Sequence, residues 1–401
     1  MPHVAIVGAG QAGASLAARL RTLGWDGEIT IFGEEPVPPY QRPPLSKKYL
    51  LGEMEEERLY LRPEAFYGEQ HIALRLGAPV TAVDPAAKRL AVGGAEVPWD
   101  QLALVTGSVP RRLPAAIGGA LPGVFTVRTL ADIDAMRPRF REGARVLIVG
   151  GGYIGLEAAA VAAQKGLEAT LVEMAPRILQ RVACPETSAW FRELHARHGV
   201  DIREGTGLVR LTGEDCVTGA ELSDGSTVAA DFVIVGVGIA PATALAEAAG
   251  IACDNGIAAD AFGHTSAAGV WTAGDCASFP WKGGRLRLES VQNAIDMAEA
   301  VAANMLGAGR PYAPVPWFWS DQYDVALQIA GLNTGYDRVV VRDSGAARSH
   351  WYYRGEEFLA VDAMNDARAY MVGKRLLEAG RSPAPEAVAD AATDLKALLK
   401  G

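Results

Sequence analysis

The chain has 401 residues, 49% of them hydrophobic and 21% charged, with a formal net charge of −9. Its length suits more than one domain, and its composition is that of an ordinary globular protein able to bury large cores. The acidic balance argues against nucleic acid as the principal partner, since no basic cluster interleaved with aromatics offsets it. Apolar stretches are cut by charges or glycines well short of membrane-spanning length.

Met1, Pro2 and His3 lead into an apolar run without a basic leader, so a cytoplasmic location is expected. Residues 4–7 (VAIV) read as a buried strand, followed by Gly8-Ala9-Gly10-Gln11-Ala12-Gly13 and an alanine- and leucine-rich helix over residues 14–20 that Gly24 closes. A lone G-x-G-x-x-G is a weak signal, but the strand, turn and helix around this one supply its context. Gly8 permits the turn, Gly10 lets the backbone approach a pyrophosphate, Gly13 lets helix pack on strand, and the helix N-terminus turns N–H groups toward the phosphates. The next strand, residues 29–32, ends at Glu34 and Glu35, where an acid can bond adenosine ribose hydroxyls.

Residues 39–47 (PYQRPPLSK) contain consecutive prolines, which remove two backbone donors and predict a stiff, extended segment that cannot be a central strand. Such a segment either presents Arg42 and Lys47 rigidly or simply turns a corner. Residues 102–107 (LALVTG) read as a strand ending in a Thr106-Gly107 turn that a nucleotide could pass closely.

The pattern then repeats. Residues 145–149 (RVLIV) precede Gly150-Gly151-Gly152-Tyr153-Ile154-Gly155, a helix is predicted over 154–165, and the strand 169–173 ends at Glu173. A carboxylate at that strand end accepts from a ribose 2′-OH and repels a 2′-phosphate, so this second site should prefer NADH to NADPH. Arg177, four residues on, could instead pair with a 2′-phosphate; Glu173 carries more weight because it occupies the strand end itself. Two complete fingerprints imply a chain that holds two dinucleotides.

Cys184, Cys216, Cys253 and Cys276 lack any C-x-x-C spacing, so they read as reduced packing thiols, with no iron–sulfur or other metal site. His195 and His198 stand three apart on the helical stretch 188–198 and, without a third ligand nearby, read as a solvated helix face. Residues 232–238 (FVIVGVG) read as a strand ending at Gly238, and residues 269–275 (GVWTAGD) as one ending at Gly274-Asp275. Ser290 suits the N-cap of a helix running to about residue 306. Asp275 could bond a ribityl hydroxyl there, while the helix N-terminus could stabilise negative charge on a reduced flavin.

The two fingerprints, PYQRPPLSK at 39–47, VTG at 105–107, GGGYIGLE at 150–157, AGD at 273–275 and PWFWSDQ at 316–322 together resemble the FAD-dependent NADH:ferredoxin reductases of bacterial oxygenase systems, of the putidaredoxin reductase and biphenyl dioxygenase reductase type. The resemblance covers nearly the whole chain. It implies a glutathione-reductase-like α/β fold with two Rossmann-like dinucleotide-binding domains and a C-terminal α+β domain. The FAD domain would comprise residues 1–111 and 241–314, the NADH domain 112–240, and the C-terminal domain 315–401, whose runs 325–329, 338–342, 350–353 and 358–361 read as a small antiparallel sheet.

The same resemblance places Ala12, Glu35, Lys47, Val80, Arg128, Asp275 and Val291 around FAD, joining Gly8, Gly10, Gly13, Glu34, Arg42, Thr106, Gly107, Gly274 and Ser290 from the residue patterns. Ile154, Glu173 and Gly238 join Gly150, Gly152 and Gly155 on the NADH side, and Trp319 would lie near the isoalloxazine. NADH would give a hydride to the flavin, which would pass electrons singly to a [2Fe–2S] ferredoxin. Lys47 and Glu157 are expected to pair beside the flavin and position the nicotinamide. Because such ferredoxins are acidic, Arg285, Arg287 and Arg310, with Trp317 and Trp319 nearby, are the expected docking surface. No cysteine precedes Cys184, which excludes a redox disulfide in the first domain. An NADH oxidase, a monodehydroascorbate-type reductase and a signalling flavoprotein resembling apoptosis-inducing factor remain as alternatives.

Overall fold

The computed structural model describes residues 1–345 and 347–400. It comprises two compact units: Met1–Gln41, Glu55–Val109 and Ile239–Pro314 form one, and Arg42–Met54, Pro110–Gly238 and the chain from Val315 onward form the other.

Among the described residues of the first unit, five parallel strands lie in the order Val270–Thr272, Gln101–Leu104, His3–Val7, Glu28–Phe32 and Ile72–Arg75. Val4, Ala5 and Ile6 in the central strand are buried, as a parallel sheet covered on both faces requires. The first glycine turn leads into the helix Gln11–Thr22, which ends at Gly24 with φ +88°, a left-handed residue that relieves the last turn. The helix Val291–Met305 packs alongside it, and the Ser290 hydroxyl caps its N-terminus by accepting from the Asn293 amide, as expected. A separate antiparallel sheet, Val80–Asp84, Arg89–Val92 and Ala95–Pro98, contributes Val83, Leu90 and Val92 to the core that holds Phe32 and Leu104.

The second unit repeats the architecture. Its parallel strands run Asp201–Glu204, Glu168–Glu173, Arg145–Val149, Phe232–Val235 and Val124–Thr126. The helix after the second glycine turn, Tyr153–Gln164, is buried from Gly155 to Ala162, so its alanine-rich sequence has no polar face to offer solvent. One flank packs against the edge strand Trp317–Gln322 of a five-stranded antiparallel sheet, followed in spatial order by Val325–Gly331, Glu357–Met364, Arg348–Arg354 and Arg338–Asp343. The PWFWSDQ motif is thus a strand of the C-terminal sheet, additional to the four runs expected there.

A buried polar seam explains why residues 110–238 and the chain from Val315 onward form one unit. Cys184 caps the helix Pro185–Arg197, and its backbone N–H donates to the Tyr352 hydroxyl at 3.0 Å. Thr187 donates to Asp362 at 2.8 Å and lies 2.7 Å from His350 Nδ1. Burial pushes Asp362 up to about 6, against the opposing pull of the Tyr352 and Thr187 hydroxyls. His195 is also fully buried, which corrects the expectation of a solvated histidine face. The strand carrying Gln322 covers that face of the helix, something local periodicity does not encode.

The proline segment also departs from expectation. Pro43–Ser46 is a 3-10 turn with prolines at its first positions, followed by the short helix Lys48–Leu51. Proline's fixed φ near −65° and missing N–H suit the first turn of a helix, where that donor has no partner anyway.

Candidate active site

The two glycine turns are near copies at atomic detail. Gly8 has φ +125°, and a Cβ there would lie 2.2 Å from the Val105 carbonyl oxygen; one on Gly13 would lie 2.0 Å from that of Gly8. Gly150 has φ +109° with 2.4 Å to the Gly236 carbonyl oxygen, and Gly155 has 2.0 Å to that of Gly150. These four positions require glycine for the fold itself. Gly10 and Gly152 do not, because a Cβ on either would meet nothing within 4 Å. The open space over each lies at a helix start with no side-chain cap and no acid in the first turn. A pyrophosphate fits this combination of close backbone approach and positive helix end.

Around the first turn, the carboxyl ends of the parallel strands gather the predicted residues of the first unit. Thr106 donates to the Ala242 carbonyl at 2.6 Å, and Gly107 takes φ +71°. Gly274, at φ +82°, would hold a Cβ 3.1 Å from that of Ala12, so the Gly274-Asp275 turn lies against the start of the first helix. Asp275 accepts from Ser108 at 3.0 Å, and Ser290 and Val291 open the neighbouring helix. Glu35 accepts from Tyr40 at 2.6 Å, Glu34 is exposed, and Val80 packs on the core beneath the strand ends. Arg42 and Arg128 belong to the second unit, where Arg42 donates to the Arg128 carbonyl at 2.6 Å.

At the second turn, Glu173 accepts from the Gly151 amide at 2.7 Å and from the Ala175 amide at 2.8 Å. A carboxylate has about four acceptor positions, so two remain for ribose hydroxyls. Arg177 donates to Ser188 at 2.6 Å and to the Gln180 carbonyl at 3.3 Å, which uses two of its five N–H donors within the protein. Ile154 stands 39% exposed in the first helical turn, and Gly238, at φ +97°, accepts from the Arg111 amide.

Lys47 and Glu157 do pair: Nζ lies 2.8 Å from Oε2, with the carboxylate side chain only 3% exposed. Two further partners escape sequence reasoning. Ser46 donates to Oε2 and Ser320 to Oε1, each at 2.6 Å. Both lie within quoted motifs, PYQRPPLSK and PWFWSDQ, but nothing in their spacing announces that segments so far apart converge on one carboxylate. Trp319 lies in the same strand as Ser320, its ring 5.6 Å from that of Trp317.

The expected basic docking surface is reduced. Arg287 is held by Glu289 at 2.5 Å and by the Asp275 carbonyl at 3.2 Å, and Arg285 by Ser278 and the Ala259 carbonyl. Guanidinium donors committed to the fold are poor partners for a docking protein. Arg310 keeps an exposed side chain on a backbone fixed by Asn304 through both its N–H and its carbonyl.

A family profile described as pyridine nucleotide-disulphide oxidoreductase matches residues 2–298, and one described as reductase C-terminal matches residues 317–399. The ferredoxin reductase subunit of 5,5'-dehydrodivanillate O-demethylase from Sphingobium sp. is 44% identical over 99% of both chains. Putidaredoxin reductase of Pseudomonas putida is 39% identical over 99% of this chain and 96% of its own. The chain belongs to the ferredoxin reductases of oxygenase systems. In the crystal structure of the covalent putidaredoxin reductase–putidaredoxin complex, the matching chain shares this reductase's fold with a TM-score of 0.96 at 38% identity, covering 100% of this chain and 98% of that one.

This reductase is an FAD-dependent oxidoreductase that uses a nicotinamide dinucleotide. The disulfide in the broader family's description has no counterpart here, since all four cysteines are free thiols. Among the described residues, no helix is long and apolar enough to cross a membrane.

Proposed function

We propose that this reductase passes electrons from NADH to a [2Fe–2S] ferredoxin serving a bacterial monooxygenase or dioxygenase, in the cytoplasm. The observation that carries the reading is the pair of open glycine positions, Gly10 and Gly152, each at an uncapped helix start in its own parallel-sheet unit. In this assignment FAD lies over Gly8, Gly10, Ala12 and Gly13, with Glu35 at its adenosine ribose, Thr106 and Gly107 beside it, and Asp275 and Val291 toward the ribityl chain and ring. NADH lies over Gly150, Gly152, Ile154 and Gly155, with Glu173 at its ribose and Gly238 along its length. Bound FAD supplies the conversion of a two-electron hydride donor into single-electron steps. The protein's part is position and electrostatics: Lys47, fixed against Glu157, supplies positive charge where negative charge accumulates on reduction. Trp319 presents an aromatic surface for the outgoing electrons.

Turnover with an iron–sulfur acceptor against turnover with oxygen tests this reading. Faster reduction of the ferredoxin supports it. Comparable or faster oxygen consumption would favour an oxidase, and negligible turnover with any acceptor a signalling flavoprotein.

The purified protein is expected to be yellow and to release intact FAD on heating or acidification, because the first glycine turn, Asp275 and the helix capped by Ser290 hold the dinucleotide by hydrogen bonds and helix-end charge. Gly13→Ala should purify depleted of flavin, since its Cβ would collide with the Gly8 carbonyl oxygen at 2.0 Å. Release of FMN, or a folded wild-type protein without flavin, would overturn the assignment.

Arg310→Glu should weaken ferredoxin reduction and flatten its salt dependence while leaving NADH-dependent ferricyanide reduction intact. Loss of neither activity would place ferredoxin elsewhere. Arg285 and Arg287 are unsuited to the same test because their removal breaks internal bonds.

A further inference from the structure

The hydrogen bonds at Glu157 do not stop at Ser320. Ser320 Oγ, which donates to Glu157 Oε1, accepts from Gln322 Nε2 at 3.3 Å. Gln322 Oε1 lies 2.8 Å from His195 Nε2, and the Tyr323 hydroxyl lies 3.0 Å from His195 Nδ1. Ser320, Gln322 and His195 are at most 1% exposed, so solvent supplies none of these partners.

The direction of every bond follows from the chemistry of the groups. A carboxylate only accepts, so Ser320 donates to it and uses a lone pair for the Gln322 amide. Gln322 therefore turns its carbonyl oxygen to His195, which must carry its proton on Nε2 and accept from Tyr323 on Nδ1. Burial lowers His195 to about 4, which keeps the ring neutral and able to adopt this tautomer. All the bonds point toward Glu157.

Tyr323 begins the turn between the strands Trp317–Gln322 and Val325–Gly331 with φ +56°, a left-handed conformation that is unfavourable for a bulky residue. Its ring is held there by stacking on His198 at 3.6 Å and by an edge contact with His195 at 5.1 Å. Folding alone does not require such a chain, since apolar side chains of similar volume often stabilise a core as well as buried polar ones. What a fully satisfied polar chain adds is a unique geometry for the group on which it ends.

We propose that Ser320, Gln322 and His195 are positioning residues that fix the orientation of the Glu157 carboxylate opposite Lys47 for the transfer of reducing equivalents from nicotinamide to flavin. The inference rests on the reading that the Lys47–Glu157 pair acts at that step.

Stopped-flow reduction of the FAD-loaded enzyme by NADH, read as limiting rate and NADH dissociation constant separately, tests it. Ser320→Ala should lower the limiting rate about tenfold, and His195→Phe about threefold, with NADH affinity little changed; contacting groups couple by amounts of this order. The double-mutant cycle decides between positioning and packing. In a Glu157→Ala background, each substitution should have no further effect on the limiting rate. Equal losses in both backgrounds, or native rates for Ser320→Ala and His195→Phe while Glu157→Ala is slow, would overturn the proposal and leave the chain a packing feature. A native rate for Glu157→Ala itself would overturn the reading of the pair and the inference with it. Should Ser320→Ala fail to retain flavin, His195→Phe carries the same cycle from a position two bonds further away.

Discussion

Lys47→Ala is expected to slow flavin reduction by NADH by about 100-fold, the scale on which removal of a single preorganised electrostatic partner acts in a water-poor site. Lys47 is only 16% exposed and Glu157 3%, so water does little to screen the pair, and among the described residues Lys47 is the cation that pairs with that carboxylate. The substitution also leaves Glu157 buried with hydroxyl donors alone. Breaking a buried ion pair in this way typically costs about 3–5 kcal/mol, so a lower thermal midpoint should accompany the slower rate. The two effects separate in stopped-flow measurements normalised to bound FAD. An unchanged rate constant in flavin-loaded protein would reduce Lys47 to a structural role, whatever happened to the midpoint.

Glu173→Ala should shift the ratio of kcat/KM for NADPH over NADH upward by about 100-fold, equivalent to some 2–3 kcal/mol of repulsion against the 2′-phosphate. The geometry further predicts that the variant becomes indiscriminate rather than NADPH-specific. Arg177, the nearest cation along the loop, is held by Ser188 and the Gln180 carbonyl, so removing the carboxylate ends the repulsion without adding an attraction. Efficiency with NADH should fall as well, because Glu173 also anchors the Gly151 and Ala175 amides. Steady-state assays with ferricyanide as acceptor measure both cofactors directly. Equal kcat/KM for the two in the wild-type enzyme would show that strand-end position does not set the preference.

Legibility in the sequence tracked the range of the forces involved. The glycine turns are local constraints: Gly13 is barred from a side chain by Gly8, and Gly155 by Gly150, each only five residues back along the chain. Strand, turn and helix are therefore readable from a short window, and the Ser290 cap is legible for the same reason, its acceptor and donor lying three residues apart. The Lys47–Glu157 pair spans more than a hundred residues and could be anticipated only because both residues sat in motifs of a recognisable family.

The sequence by itself determined two dinucleotide folds, their order along the chain and the backbone that would cradle each pyrophosphate, because glycine stereochemistry and hydrophobic periodicity act between near neighbours. Tertiary structure alone decided which polar groups are spent inside the protein. It committed Arg285 and Arg287 to carbonyls and carboxylates, turned Arg177 toward Ser188, and buried His195 beneath Gln322. It also converged Ser46 and Ser320 on Glu157 from opposite ends of the sequence. A buried donor or acceptor must find its partner wherever the packed chain brings one, and that choice depends on burial and direction, neither of which a linear pattern of residue types records.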